Sequence, residues 1–304
     1  MHELSQGRLL EIVDEAAAMG VQRLFLLGGG EPLSRKDATP AIMVRAKEHG
    51  MEGILTTNGT LLDDRLTETL IDIGWDEIHF SVDGPNPEIH DVLRGQKGAF
   101  KKTIRNACRL SVRKKQRNAP CPRIALHFVL TNKNHNTLTQ MVELAHAVGA
   151  FRIDFDALIA YTPEQEALKL TAKQRSEIPK LASEAIVRAE EFGIQTTLEN
   201  FLSPGRLNRG DTQIDTPDGD GFKGAPCLKA WHYLVVQADG KTSPCCVLAG
   251  QGGSAADQSL KHVWNQDPFM NTVRKGMLKG EPLPRCKECS WNILQHEAII
   301  RDHL

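Results

Sequence analysis

The sequence predicts an α/β protein, a parallel sheet covered by helices, with a small cysteine-rich domain after it. Helical and strand periodicities alternate regularly over residues 1–200, the strands stop at glycine-rich or polar turns, and five of the seven cysteines fall in the last third. Repeated βα units with short loops build parallel sheets with helices over them. In such sheets ligands bind at the C-terminal ends of the strands.

The elements follow in order. A first helix over 8–19 sets Leu9, Ile12, Val13, Ala16 and Met19 on one face and stops at Gly20. An apolar strand, 24–27, runs into Gly28-Gly29-Gly30, and a helix over 41–49 precedes a strand at 53–57. Helix 61–73 and strand 77–82 lead to Asp83-Gly84-Pro85 and then to helix 99–112. Strand 124–130 ends at Thr131-Asn132, and helix 137–148 and strand 152–157 follow. A long helix, 172–192, and a strand near 194–198 close the series. Residues 201–224 lack periodicity and hold Ser203-Pro204-Gly205 and Gly210-Asp211, which predicts a linker. Beyond it come a hairpin-like stretch, 233–246, and helices at 260–264 and 269–278. The expected domains are 1–200, the linker 201–224, and 225–304.

Composition narrows the class. Hydrophobic residues at 40% and charged residues at 25% are ordinary for a globular protein, and a net charge of −1 provides no field for nucleic acid or a membrane surface. No apolar run spans a bilayer and no leader pattern opens the chain, so a reducing cytoplasm is the expected compartment. The basic run Arg113-Lys114-Lys115-Gln116-Arg117 reads first as a solvated helix C-terminus and second as a patch for an acidic partner.

Cys227, the pair Cys245-Cys246, and Cys286-x-x-Cys289 form a thiolate set suited to soft metals and iron–sulfur clusters. Spacing alone leaves zinc open beside iron–sulfur. Three strand-end motifs stand apart from them: Gly28-Gly29-Gly30-Glu31-Pro32, Thr56-Thr57-Asn58-Gly59-Thr60, and Ser81-Val82-Asp83-Gly84-Pro85. Each has a plain turn-forming explanation on its own. Their succession at three consecutive strands does not.

With these motifs the chain resembles the radical S-adenosylmethionine enzymes that carry a C-terminal SPASM or twitch iron–sulfur extension. The resemblance implies a partial (β/α)6 TIM-like barrel and two cofactors, S-adenosylmethionine and an auxiliary [4Fe–4S] cluster. It implies that Gly29, Gly30, Glu31 and Pro32 receive the methionine amino group. Ser81 and Asp83 lie near the ribose and carboxylate, Arg94 reaches that carboxylate, and Asn58 joins the cofactor-facing set. Strands 124–130 and 152–157 border the adenine. Cys227, Cys245, Cys286 and Cys289 become the cluster ligands. Cys246 is the alternate, because neighbouring residues on a strand face opposite ways. No cysteine follows Cys289, so one auxiliary cluster is expected.

The family's Cys-x3-Cys-x2-Cys, which binds the cofactor-cleaving cluster, is not among these residues. Cys108, on an apolar helix face with Phe100 and Ile104, reads as a core thiol, and Cys121 lies between prolines. The expectation is therefore a radical-enzyme core truncated at its N-terminus and inactive as given, with a second [4Fe–4S] cluster only if the complete protein supplies that motif. The resemblance implies hydrogen abstraction by a 5′-deoxyadenosyl radical from a peptide or small molecule, fed by a reducing donor such as flavodoxin or ferredoxin. The rival reading is a non-catalytic scaffold with a structural four-cysteine site. No catalytic acid or base is named from sequence; Asp154, Asp156 and Tyr161 stand at or beyond a strand end facing the expected pocket.

Overall fold

A computed structural model describes residues 3–160, 162–202 and 227–288. They fall into two compact units, Gln22–Gly210 and Met1–Val21 with Asp211–Leu304. The first is a six-stranded sheet in the order β1 (Arg23–Leu26), β2 (Glu52–Thr57), β3 (Glu77–Ser81), β4 (Arg123–Leu130), β5 (Arg152–Ala157) and β6 (Gln195–Thr196). All five pairings are parallel. The expected α/β class is borne out.

Sequential order has a geometric consequence. Each crossover steps the same way, and right-handed connections then put the helices on one face of the sheet. Those helices are α2 (Ala38–Glu48), α3 (Asp64–Asp72), α4 (Pro87–Arg94), α5 (Ala99–Gln116), α6 (Leu138–Ala147), the short α7 (Pro163–Glu166) and α8 (Ala172–Phe192). Phe80, Phe128, Phe155 and Leu55 of the strands are fully buried, as are Leu70, Leu110, Met141 and Ile178 of the helices. Alternate strand positions carry the polar side chains: Glu77, His79 and Ser81 on β3, His127 on β4, and Arg152, Asp154 and Asp156 on β5. They define the inner face.

Local chemistry sets most boundaries. The predicted 61–73 helix begins at Asp64, because the Asp63 carboxylate accepts from the Leu66 amide at 2.8 Å. Helix α4 went unread in the sequence, although Asn86 caps it through the Ile89 amide at 3.1 Å, Pro87 opens it and left-handed Gly95 closes it. The strand expected at 194–198 shortens to Gln195–Thr196, and a 3-10 turn takes Leu198–Phe201. In the basic run, Arg117 pairs with Glu68 at 3.0 Å and Asp72 at 2.7 Å, so the end of α5 is tied to α3.

The second unit holds α1 (Gln6–Ala18), α9 (Lys229–His232), the antiparallel pair β7 (Val235–Val236) and β8 (Thr242–Ser243), α10 (Leu260–Gln266) and α11 (Pro268–Lys279). Helix α1, read from sequence together with the sheet, packs against the C-terminal segment. Leu4 and Ile12 are buried with Ala255 and Leu260, flanked by Leu9, Ala16 and Val236. Arg8 secures the contact, donating to the carbonyls of Ala255 at 2.8 Å and Gln258 at 2.9 Å while pairing with Glu11 and Glu15. The linker sequence from Ser203 to Gly224 lies outside the described residues.

Candidate cofactor sites

At the C-terminal end of β1, Gly28, Gly29 and Gly30 have φ of 70°, 67° and 152°, and a Cβ added at any of them would meet nothing within 4 Å. Only glycine holds this path readily, and the backbone lies open to a ligand. Glu31 braces it. The Glu31 carboxylate accepts from the Leu33 amide at 3.0 Å, the Thr57 hydroxyl at 2.6 Å and the Asn58 amide at 2.8 Å. One side chain thus joins the rim after β1 to the rim after β2. The Asn58 side-chain oxygen is turned back onto Thr60, accepting from its amide at 2.9 Å and its hydroxyl at 2.7 Å. Pro32 opens a 3-10 turn, Pro32–Ser34.

The end of β3 is equally fixed. Buried Asp83 accepts from the Val129 amide at 3.0 Å and pairs with Arg94 Nε at 2.7 Å. The Asp83 amide donates to His90 Nδ1 at 3.1 Å, and burial together with the Arg94 charge pushes His90 below the ordinary histidine range. Fully buried Asn134 donates to the carbonyls of Asp83 and Val129, both at 2.9 Å, and accepts from the Thr131 amide at 2.7 Å. Arg94, expected to meet a carboxylate of the ligand, is therefore held in place from α4 by Asp83. Ser81 stands beside His127 on the inner face.

A polar row crosses that face. Near the N-terminal ends of the strands, Glu77 meets His79 at 2.9 Å, Arg152 at 3.4 Å and Arg123. Burial alone would raise Glu77, but the His79 hydrogen bond and the two arginine charges win and lower it; burial lowers His79. Nearer the rim, Arg152 holds Asp154 at 3.0 Å, and His127 Nε2 lies 2.8 Å from Asp156 Oδ2. His127 escaped the sequence reading. Its signal was a lone polar residue at an inner-face position in an otherwise apolar strand. Tyr161 lies outside the described residues.

In the second unit, Cys227, Cys245 and Cys286 line one pocket together with Ala230, Leu248 and Met277. Burial raises the Cys245 and Cys286 thiols. Cys246 is exposed and does not line the pocket. None of the six described cysteines is in a disulfide. Among the described residues no three His, Cys, Asp or Glu side chains stand ready to hold a single metal ion. Cys289 lies outside the described residues. Three thiols lining one apolar pocket match the donor chemistry of an iron–sulfur cluster, and the open glycine rim fits the approach of a small ligand to backbone.

The chain belongs to the radical SAM superfamily, a class of enzymes, and carries the SPASM iron–sulfur cluster-binding domain. The superfamily's profile matches residues 1–145 and the SPASM profile matches 227–290. A PqqA peptide cyclase of Granulibacter bethesdensis is 30% identical over 310 residues, covering 98% of this chain and 75% of that protein. An AdoMet-dependent heme synthase of Methanosarcina barkeri is 25% identical over 295 residues, covering 95% of this chain and 80% of its own length. Among solved structures, Streptococcus suis SuiB bound to S-adenosylmethionine superimposes with a TM-score of 0.65 at 16% identity, over 90% of this chain and 61% of SuiB. The structure of anSMEcpe with AdoMet and the Cp18Cys peptide gives 0.64 at 18%, over 96% of this chain and 80% of that one. These likenesses bear on fold. The chain thus spans less than two thirds of SuiB. The family uses [4Fe–4S] clusters and S-adenosylmethionine, as the sequence led us to expect.

Proposed function

We propose that this chain binds S-adenosylmethionine on the rim after β1 to β3 and an auxiliary [4Fe–4S] cluster in the thiol pocket, and that the protein it represents modifies a peptide. The observation that carries the reading is the glycine rim, open at Gly28, Gly29 and Gly30 and braced by Glu31. The peptide assignment is supported by relatives named as PqqA peptide cyclases. With a reduced cluster beside it, S-adenosylmethionine supplies a hydrogen-abstracting radical.

The residues of the chain have distinct tasks. Backbone at Gly29 and Gly30 meets the methionine amino group, with Glu31 and Pro32 fixing the path of that loop. Arg94, oriented by Asp83, meets the carboxylate, and Ser81 and Asn58 stand at the ribose side. Cys227, Cys245, Cys286 and Cys289 hold the cluster. A flavodoxin- or ferredoxin-like donor and a cytoplasmic setting complete the proposal; among the described residues no helix is long and apolar enough to cross a membrane.

Anaerobic reconstitution tests the cluster. About four irons and four sulfides per chain, as one four-thiolate cluster requires, are expected, lost in Cys286→Ala and kept in Cys246→Ser. Zinc without sulfide would favour the scaffold reading. Residues 1–304 contain no Cys-x3-Cys-x2-Cys, so this polypeptide alone is expected to bind S-adenosylmethionine without releasing 5′-deoxyadenosine. Sustained release of 5′-deoxyadenosine would refute that expectation.

A further inference from the structure

The geometry points to His127, aligned by Asp156, as a proton-accepting residue of the substrate site at the C-terminal ends of the strands. The inference rests on the reading above, which places the reaction on this rim. It adds a named base to a site for which the sequence offered none.

Position comes first. His127 lies on the inner face of β4, in register with Ser81 on β3 and Asp154 on β5. Its neighbours Leu126 and Phe128 are fully buried on the helix-covered side, whereas the His127 side chain is 29% exposed. His79, one step deeper along β3, is 13% exposed and enclosed by Glu77 and Arg152. Of the two inner-face imidazoles, His127 is the one a ligand at the rim can touch.

Hydrogen bonding then fixes the reactive atom. An ionised carboxylate only accepts, so the 2.8 Å contact with Asp156 requires the proton on His127 Nε2. The neutral ring keeps its lone pair on Nδ1, and among the described residues Nδ1 has no hydrogen-bond partner. A base oriented through its second nitrogen by a carboxylate is the arrangement that proton-transfer sites use.

The surrounding charges favour proton uptake. Asp154 is paired with Arg152 at 3.0 Å and Asp83 with Arg94 at 2.7 Å, and Asp156 faces the imidazole at 2.8 Å. On β3, His79 is lowered by burial, which disfavours an opposing charge there. The flanking inner-face residues of β4, Ala125 and Val129, are uncharged. Burial alone would lower His127, but the Asp156 hydrogen bond and the charges of Asp156, Asp154 and Asp83 raise it.

The step itself is a proton transfer. An acidic C–H, N–H or O–H of the substrate gives its proton to Nδ1, the bonding pair stays on the substrate atom, and imidazole becomes imidazolium beside Asp156. No electron passes through His127.

The test uses the 304-residue chain with 15N-labelled histidine, the Asp156→Asn variant, and His127→Gln to assign the signals. Neutral His127 is expected as the Nε2–H tautomer. Its titration midpoint should lie above the ordinary value of about 6.5 and fall in Asp156→Asn. An Nδ1–H tautomer, a midpoint at or below the ordinary value, or no response to Asp156→Asn overturns the proposal. Calorimetry with S-adenosylhomocysteine separates it from the functional reading. A wild-type chain that does not bind the probe overturns the functional reading, while tautomer and titration judge the histidine pair separately.

Discussion

Replacing Glu31 with alanine removes three hydrogen bonds at once, those from Leu33, Thr57 and Asn58. All three are partly buried, so water recovers part of the loss. At about 1 kcal/mol each, the net cost is about 3 kcal/mol. For a unit the size of Gln22–Gly210, that lowers the melting temperature by about 6–12 °C. The effect should also be local: with its acceptor gone, the Asn58 amide loses protection from hydrogen exchange. Glu31→Gln separates bracing from charge. A glutamine oxygen in the Oε1 position keeps the Leu33 and Thr57 bonds and sets an N–H against the Asn58 amide, so about 1 kcal/mol is lost. If Glu31 acts by bracing, S-adenosylhomocysteine affinity follows the loss of stability across the two variants. If its charge holds the ligand ammonium, Glu31→Gln loses binding out of proportion to stability. Glu31→Ala with an unchanged melting temperature and unchanged Asn58 exchange would refute the bracing argument.

Three further outcomes are expected. Asn134→Ala strands four hydrogen-bonding groups around a fully buried side chain. It should cost about 2–4 kcal/mol in urea unfolding and weaken S-adenosylhomocysteine binding through the displaced Asp83–Arg94 pair. Arg8→Ala frees the carbonyls of Ala255 and Gln258, and limited proteolysis should then cut near residues 255–260 faster, with the sheet unit unaffected. Glu77 has a folded value below its unfolded one, so its contribution is present above about pH 4.3 and is lost as the pH falls through the folded value. Glu77→Gln should accordingly flatten the acid limb of the stability profile, read by fluorescence from pH 7 to pH 2. An unchanged acid limb would show that the pairing adds nothing.

Helix and strand order was legible because each rests on a local period. Strand β5 alternates along its own residues, and α3 and α8 carry their own caps at Asp63 and Thr171. Helix α4 carried a start and a stop as well, but eight residues are too few for a 3.6-residue period to stand out from motif residues such as His90 and Arg94. The motif residues at the strand ends were legible because close approach and tight turning restrict composition to glycine, asparagine and aspartate. Their partners were not. Glu31 read as a ligand-facing carboxylate, and only the structure shows that it also accepts from Leu33, Thr57 and Asn58.

By itself the sequence determined the α/β class, the succession of rim motifs and the thiol set, because these follow from periodicity and from residue chemistry within short windows. Tertiary structure decided the remainder. It set Cys245 rather than Cys246 in the thiol pocket, brought α1 onto residues more than two hundred positions away, and placed His127 against Asp156. Each of these depends on register or packing between distant segments. Such contacts are fixed by the burial of whole faces and leave no mark in the local sequence.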